Sequence, residues 1–411
     1  MASLKYWLWL SNLRDVSNVT RLKLLDHFGE PDRIYYADSG EYFQVEGMTR
    51  RAAQALADKS LETADRVLGD CARLNLRILT IRDTEYPDRL RNIYDPPVVL
   101  YVQGRMPQFD EEVAIAMVGS RKMTASAQTV GERLAFQMAG LGAIVVSGLA
   151  ATGDAAAHRG ALRAGGVTAA VIGGGHDIIF PRENRWLYED IAVRGVILSE
   201  YPPGTEHKGT HFPVRNRIIS GLCLGTVVME APERSGALIT ASRAMDQGRD
   251  VFAMPGPLDD WHCAGSNGLL RDGAMIVTDA WDILGQYAAR FPHKIRMLRA
   301  VEPRNFGGGA ETAQEESRES PPEKSAPEEP ALPVLDLTGE HDLTDDQLRI
   351  VRALAGRTVQ VDDIIEETQI PTRRVLSALT MLEIDRIVTQ ESGKRFSLAV
   401  TLVDKQTSRE S

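Results

Sequence analysis

The stretch that decides the fold runs from residue 113 to residue 148 and reads VAIAMVGSRKMTASAQTVGERLAFQMAGLGAIVVSG. Two apolar runs, VAIAMVG and AIVVSG, stand on either side of a segment with helical spacing, which predicts a strand, a helix and a second strand. Continuous apolar runs of this kind are typical of parallel strands that are buried on both faces. The stretch therefore predicts a parallel sheet with helices packed on both sides.

The same alternation continues to residue 290. Five further apolar runs, VTAAVIGGG, GVILSE, TVVMEA, DVFAMPG and AMIVTD, are separated by helical segments. Residues 113–290 are thus predicted to form an α/β domain with an extended Rossmann-like, doubly wound parallel sheet. Ligands of such domains bind at the carboxyl ends of the strands and at the N-termini of the helices that follow, so functional residues are expected there.

Four other regions surround this domain. Residues 1–82 show helical spacing and turn signals, which predicts a small helical domain, and residues 83–112 are predicted to be a connecting segment. Residues 301–342 are rich in Gly, Pro, Ser and Glu, which predicts an acidic, disordered linker. Residues 343–400 are predicted to form three helices and a β-hairpin wing.

Composition excludes several protein classes. Of the 411 residues, 43% are hydrophobic and 25% are charged, a balance typical of globular domains rather than of fibres or membrane bundles. The apolar run near the start, LKYWLWL, is too short to cross a bilayer and is predicted to be the buried face of a first helix. Cys71, Cys223 and Cys263 lie far apart without a metal-ligand spacing, so no metal site or disulfide is expected, and reduced thiols favour a cytoplasmic location.

The formal net charge is -10. Residues 302–346 carry 13 acidic and 3 basic side chains, so this segment accounts for the whole excess. Local clusters of Arg and Lys, rather than the net charge of a chain, decide whether it binds nucleic acid. A nucleic-acid partner is therefore compatible with the composition.

Two turns in the helical region, at Phe28-Gly29 and at residues 45–48, resemble those of helix-hairpin-helix modules. Such a hairpin offers backbone N–H groups to a phosphate. The alternative is a pair of turns that only pack helices, and Glu30 and Glu46 beside them favour this second interpretation.

The first predicted strand of the α/β domain ends in Gly119, Ser120 and Arg121. The glycine lets the backbone approach a ligand, the serine offers a hydroxyl, and the planar arginine side chain suits phosphate oxygens. These residues are predicted to bind phosphate. The dinucleotide fingerprint, G-x-G-x-x-G followed by an acidic residue, is missing, so NAD is disfavoured and no cofactor is expected.

The second predicted strand ends in Ser147 and Gly148, which we include among the candidate binding residues. Asp154 and His158 follow on the next helix, four residues apart. A helix cap and a packed histidine explain this pair better than a catalytic role. The third strand ends in three glycines, residues 173–175, which predict close approach of a neighbour or a ligand.

The most specific stretch is KGTHFPVRNR, residues 208–217. It combines charge, an aromatic ring and an amide at the start of a helix, in Lys208, Phe212, Arg215, Asn216 and Arg217. A bound single strand needs cations along its backbone, an aromatic face for an unstacked base and groups that reach base edges. Two arginines so close together repel each other without anionic partners. The stretch therefore predicts binding of single-stranded nucleic acid, with Glu200 as a competitor for the arginines within the chain.

Ser235 and Gly236 open the helix after the fifth predicted strand and are predicted to form another anion-binding helix N-terminus. The sequence has no Ser–His–Asp order, no HExxH motif and no persuasive pair of carboxylates. The site is therefore predicted to hold a ligand rather than to cleave it, and no enzymatic activity is expected.

Seven sequence blocks in order, GSR, SGLA…D..AH, SEYPPG, FPVRNR, SGALITA, GRDVFAMPG and SNGLL..GA, resemble the bacterial DNA-processing protein A (DprA/Smf) family. The resemblance implies a sterile-alpha-motif-like (SAM-like) helical N-terminus and a winged-helix tail. It further implies that the protein binds single-stranded DNA in the Rossmann-like domain, forms a homodimer, protects incoming DNA and loads the RecA recombinase during natural transformation.

Five candidate residues match the family's blocks directly, namely Arg121, Phe212, Arg215, Asn216 and Arg217, and Lys208 matches in approximate position. One block departs from the family pattern. The family commonly reads Ala-Arg-Gly-Ile-Asp where this chain has AATGD, residues 150–154, so a basic residue is lost and the glycine is shifted.

Two other functions remain as alternatives. Nucleotide phosphoribohydrolases resemble this Rossmann variant, but the turn at residues 235–241 lacks the glutamate that their chemistry requires. A winged-helix transcription regulator would read duplex DNA with its third helix, and Arg373 and Arg374 near Pro371 at the start of that helix permit such a contact.

Overall fold

The computed structural model describes residues 4–295, 334–336, 343–355, 357–384, 387–391 and 395–403. The chain divides into two compact units, Met1–Phe306 and Gly307–Ser411. Within the described residues, no helix is long and apolar enough to cross a membrane.

The first unit combines helices with strands of one sheet. Its described helices are α1 (Leu4–Asn12), α2 (Asn18–Phe28), α3 (Pro31–Tyr36), α4 (Arg50–Ala57), α5 (Glu62–Arg73), α6 (Asp88–Arg91), α7 (Ala125–Gly140), α8 (Gly153–Arg163), α9 (Arg185–Arg194), α10 (His211–Gly221), α11 (Gly236–Asp246), α12 (Ala264–Arg271) and α13 (Ala280–Leu284). Its described strands are β1 (Arg77–Thr80), β2 (Val99–Gly104), β3 (Ala114–Val118), β4 (Ile144–Ser147), β5 (Thr168–Ile172), β6 (Val196–Ser199), β7 (Gly225–Val228), β8 (Asp250–Ala253) and β9 (Met275–Ile276). Short 3-10 turns occupy Glu41–Gln44, Phe109–Glu111, Arg182–Asn184 and Trp261–Cys263.

These strands form one sheet in the order β1-β2-β6-β5-β4-β3-β7-β8-β9. Strand β3 pairs parallel with β4 on one side and with β7 on the other, so that Ala116 lies opposite both Val146 and Thr226. The chain winds from β3 outward to β6 and then returns to β7, which creates a topological switch point beside β3. The carboxyl ends of β3, β4, β5 and β7 therefore meet at one edge of the sheet.

Strand β3 shows why this sequence forms a buried sheet. All five of its residues are buried. Ala116 and Val118 belong to an apolar cluster with residues of α10 and α11, whereas Ile115 and Met117 belong to a second cluster with residues of α7 and α13. Both faces of the sheet are thus covered by helices. Each large apolar side chain buried in this way contributes about 1.5–3 kcal/mol to the stability of the folded state. The predicted doubly wound α/β fold is confirmed.

Strands β1 and β2 lie outside the sequence prediction, which assigned residues 1–82 to a helical domain and residues 83–112 to a connection. In the structure β1 pairs antiparallel with β2, and β2 pairs antiparallel with β6, with Tyr101 opposite Ser199. The helices of the N-terminal region share one apolar cluster with this part of the sheet, from Leu8 to Leu100. The chain therefore does not separate into two bodies at residue 82.

The second unit contains the predicted winged helix. Its described elements are β10 (Val334–Asp336), α14 (Asp345–Ala353), β11 (Val359–Gln360), α15 (Val361–Thr368), α16 (Thr372–Ile384), β12 (Val388–Glu391), β13 (Arg395–Leu398) and β14 (Thr401–Val403). Strands β12 and β13 pair antiparallel as the wing, and α16 starts directly after Pro371 as predicted. Strand β10 falls inside the predicted linker and pairs parallel with β14, whereas the rest of residues 301–342 and the tip of the wing, 392–394, lie outside the described residues.

Candidate nucleic-acid interface

The turn after β3 presents Arg121 at the switch point. The Ser120 N–H donates to the Glu230 carbonyl at 2.8 Å, which joins this turn to the end of β7, and the Ser120 hydroxyl accepts a hydrogen bond from the Lys122 N–H at 3.1 Å. The Arg121 side chain is exposed, and its guanidinium carbon lies 4.6 Å from the centre of the Phe212 ring. A cation is therefore held at the carboxyl edge of the sheet against an aromatic surface.

The turn after β4 makes room for a second arginine. A Cβ atom at position 148 would overlap the Arg215 guanidinium, so any other residue there would displace Arg215 from its present position. The next residue, Leu149, has a left-handed backbone with φ of 60°, which costs a non-glycine residue about 1–3 kcal/mol. The Asp154 carboxylate offsets this strain by accepting hydrogen bonds from the N–H groups of Gly148 and Ala150, both at 3.2 Å.

Arg215 is a buried cation without hydrogen-bond partners on two of its nitrogens. Its side chain is 4% exposed on α10, and neither Nε nor Nη1 contacts an acceptor. Burial lowers the pKa of Arg215 to about 10, against the opposing effect of the Asp154 carboxylate and with a further lowering by Arg121. Arg215 therefore stays charged at neutral pH. Its guanidinium carbon is 5.9 Å from the centre of the Phe212 ring, so Phe212 has two cations near it, Arg121 from the turn after β3 and Arg215 from its own helix.

Arg217 differs from the prediction that it faces a phosphate. It is 7% exposed, its Nη2 lies 2.8 Å from Glu200 Oε1, and its Nε lies 3.2 Å from Asp95 Oδ2. Burial by itself lowers the pKa of Arg217, but the two carboxylates outweigh burial and the pKa is raised. Glu200 thus pairs with Arg217 in place of a phosphate, as expected, and Asp95 provides a second carboxylate partner. Arg217 anchors α10 to the body of the protein, and we do not retain it as a DNA contact.

An aromatic group lines the same edge. The rings of Phe180 and His207 stack with centroids 5.5 Å apart, and Phe180 lies 5.9 Å from Phe212. Gly173 and Gly174 make space for these rings, because a Cβ atom there would lie 3.3 Å from Phe212 and 2.6 Å from His207 respectively. The glycines at the end of β5 therefore admit neighbouring side chains, which is one of the two uses that the sequence predicted.

A pocket opens between these turns, and we call it the anion pocket. It is lined by Arg121, Gly148, Phe180, His207 and Phe212, among others, and Arg215 lies buried beside it. A pocket lined by one cation and by aromatic rings, with a second cation beside it and no carboxylate among its lining residues, suits a phosphate joined to a flat base.

The remaining candidates lie around the starts of α10 and α11 or inside the sheet. Lys208 is exposed, the Asn216 amide nitrogen lies 3.5 Å from the Gly236 carbonyl, and the Ser235 hydroxyl caps α11 by accepting from the Ala237 N–H at 3.3 Å. The Ser147 hydroxyl is buried and donates to the Met117 carbonyl at 2.6 Å, so this serine holds β4 to β3. Its hydroxyl is therefore already used within the sheet.

Asp154 and His158 do not contact each other. The Asp154 carboxylate holds the turn after β4, whereas His158 Nδ1 lies 2.7 Å from the Thr168 hydroxyl. Burial, with a smaller effect of the Arg215 charge, lowers the pKa of His158 to about 3. The histidine is therefore neutral and packed, as the sequence favoured. Across the residues the structure describes, no group of three or more His, Cys, Asp or Glu side chains could hold a metal ion.

In the second unit, one of the two arginines expected at the third helix is already paired. Arg374 Nε donates to Asp346 Oδ2 at 2.7 Å, and Asp346 lies in the first turn of α14. The side chain of Arg373 lies outside the described residues. An arginine bound to a carboxylate of its own module is less available to a base edge, which weighs against α16 as the principal reader of duplex DNA.

Comparison with known proteins places these features in a group of relatives. The model of the family described as DNA recombination-mediator protein A matches residues 77–288, and that of the DprA winged helix domain matches residues 318–394. Protein Smf of Synechocystis sp. is 32% identical over 395 residues, which are 95% of this chain and 98% of that protein. The DNA processing protein DprA of Bacillus subtilis is 40% identical over 225 residues, 55% of this chain and 76% of that protein. The crystal structure of DprA from Streptococcus pneumoniae covers 70% of this chain and 99% of its own, with a TM-score of 0.62 and 35% identity.

Proposed function

This chain belongs to the DNA recombination-mediator protein A (DprA/Smf) family, and on that premise we propose that it binds single-stranded DNA in the anion pocket. The strand is held by its phosphates, with little dependence on sequence. The site holds DNA and carries out no reaction on it.

One observation supports this proposal above the others: Arg215 is buried with unpartnered donors, and the Arg121 guanidinium lies near the same Phe212 ring. A buried charge without a partner is destabilising, and two neighbouring cations raise the cost. A phosphate at the mouth of the pocket would offset the repulsion between the two cations. The protein therefore maintains a positive field at the switch point that a polyanion neutralises.

The proposed DNA contacts lie on the turns after β3 and β4, in and just before α10, and at the start of α11. They are Gly119, Ser120, Arg121, Gly148, Lys208, Phe212, Arg215, Asn216, Ser235 and Gly236. Their spread over several turns suits a strand that crosses the edge of the sheet, because successive phosphates need separate cations.

The family resemblance supports the finer parts of the proposal. The protein acts in the cytoplasm as a homodimer, protects incoming single strands and helps RecA to assemble on them during natural transformation. It is a mediator and not an enzyme, so incubation with nucleoside monophosphates or DNA should release no base, phosphate or fragment.

Binding of a labelled oligonucleotide, measured by fluorescence anisotropy, tests the proposal. Arg121→Ala should weaken binding about ten- to a hundredfold, because a charge-assisted hydrogen bond contributes about 1.5–3 kcal/mol. Arg271→Ala is the matched control, since that side chain is 83% exposed at the last residue of α12 and contacts only the neighbouring Asp272 in an ion pair. Unchanged binding by the Arg121 variant, or equal losses in both, would reject the anion pocket as the DNA site.

A further inference from the structure

Phe180 stands out among the aromatic residues at the carboxyl edge of the sheet. It lies in the loop after β5, which carries no helical or strand periodicity, and 47% of its surface is exposed. Its ring lines the anion pocket together with Phe212 and His207. The proposed function leaves Phe180 without a role.

Phe212 is half-buried and offers less free surface to a base than Phe180 does. The Arg121 guanidinium lies 4.6 Å from its centre, Phe180 lies 5.9 Å away, and Gly173 packs against its edge. The ring is therefore surrounded by a cation, a second ring and the backbone. Its position suits holding Arg121 and Arg215 in place rather than receiving a base.

Phe180, in contrast, is both open and held in position. One side stacks on His207 with an angle of 26° between the ring planes. His207 is itself held in place, because its Nε2–H donates to the Ile178 carbonyl at 2.7 Å and its ring packs against Gly174. An exposed ring that is held in this way loses little conformational entropy when a flat ligand stacks on it.

The spacing fits a nucleotide. Arg121 and Phe180 lie 4.6 Å and 5.9 Å from the same Phe212 ring, so they are close enough for one nucleotide or two adjacent ones to reach both. Every nucleobase has a flat face, and stacking on a protein ring is tolerant of sequence. A cation for the phosphate and an open ring for the base thus stand side by side.

We propose that Phe180 is the base-stacking residue of this site, and that Phe212 serves to position the two arginines. This inference rests on the proposed function, since it assigns the base of the same single strand whose phosphates Arg121 binds. It also states which part of the ligand each side chain recognises. Arg121 recognises the backbone, and Phe180 recognises the base.

The test uses the full chain and two oligonucleotides of equal length, one of thymidines and one in which the central nucleotides are abasic. Phe180→Ala should weaken binding to the thymidine strand roughly five- to a hundredfold and change binding to the abasic strand little. Arg121→Ala should weaken binding to both. Trp186→Ala is the matched control, because Trp186 is similarly exposed, at 49%, but does not line the pocket.

A second variant keeps the test decisive if removal of the ring disturbs the loop. Phe180→Trp should bind thymidine strands at least as tightly as the wild type, and it should show additional fluorescence quenching on binding that the wild type lacks. Equal losses of Phe180→Ala on both strands, unchanged binding to thymidines, or no added quenching would overturn the assignment of Phe180. If Arg121→Ala binds both strands normally, the proposed function fails instead, and the two failures are thus distinguishable.

Discussion

The two sides of α10 use the same kind of side chain in opposite ways. Arg215 and Arg217 are two residues apart, so they leave the helix in directions roughly 160° apart. Both are buried, with 4% and 7% of their surface exposed. Arg217 meets two carboxylates from its own chain, whereas two of the nitrogens of Arg215 meet none. The comparison teaches that an arginine serves folding or binding according to the partners that the fold supplies.

The largest expected effect is on the stability of the anchored side. Arg217→Ala should lower the free energy of unfolding by about 1–3 kcal/mol, because it leaves the half-buried carboxylates of Glu200 and Asp95 without their cation. Urea denaturation followed by circular dichroism measures this loss. Arg51→Ala, which removes an exposed ion pair with Asp15, should cost no more than about 1 kcal/mol. If the two variants lose equal stability, α10 is not anchored in this way.

Substitution of Arg215, on the pocket side of α10, should affect DNA binding more than stability. Arg215→Met should lower the free energy of unfolding by less than Arg217→Ala does, because the loss of the cation near the Asp154 carboxylate is offset by no longer burying donors that have no partner. Its affinity for single-stranded DNA should fall about ten- to a hundredfold. A variant that binds DNA normally but unfolds easily would show that Arg215 and Arg217 share one structural role, and the comparison would fail.

The buried His158, near the Arg215 charge, leads to a prediction about the pH dependence of stability. Burial lowers the pKa of His158 in the folded protein to about 3, below its value of about 6.5 in an unfolded chain. The unfolded state therefore binds the extra proton first, so this contribution to stability is complete above pH 6.5 and declines as the pH falls towards 3. The free energy of unfolding declines by about 1.4 kcal/mol per pH unit in this range. Urea denaturation from pH 7 to 5 should show a shallower dependence for His158→Gln than for the wild type, and parallel curves would contradict the assignment.

The smallest expected effect concerns salt. Each phosphate that the protein neutralises on a single strand contributes about -0.7 to the slope of log affinity against log salt concentration. Arg121→Ala should thus make the slope less steep by about 0.7, whereas Arg217→Ala, measured where it is folded, should leave it unchanged. An equal change in both slopes would place the two arginines in the same kind of contact.

Much of the fold was predictable because its signal is local. The seven apolar runs between residues 113 and 290 each became a strand, and the winged helix begins its third helix after Pro371. Strands β1 and β2 were missed because β2 stands between Pro97 and Gly104, which read as turn signals, and because both strands pair antiparallel at the edge of a sheet whose other strands are parallel. The family predicted from seven sequence blocks is confirmed.

The site was predictable only in part, for a physical reason. The carboxyl ends of the parallel strands lie at one edge of the sheet, which brings together Arg121, Phe212 and Arg215. This proximity can be predicted from the order of the motifs along the sequence. The partner Asp95 lies 122 residues before Arg217 in the chain, so the sequence gives no local sign of their ion pair. Phe180 lies in a loop without periodicity, and only the three-dimensional stacking on His207 reveals it.

Strand β1 has a consequence for how the protein keeps its sheet from associating with others. It covers the outer edge of β2 through four paired positions, and it comes from the end of the region that the sequence assigned to a separate helical domain. A shortened protein that lacks residues 1–82 would lose β1. The N–H and C=O groups on that edge of the apolar strand Val99–Gly104 would then be unpaired in solvent. Exposed edges of this kind recruit other strands and lead to aggregation. The N-terminal region thus covers the edge of the sheet in addition to forming part of the core. The shortened protein is therefore expected to aggregate even though the residues of its DNA site are unchanged.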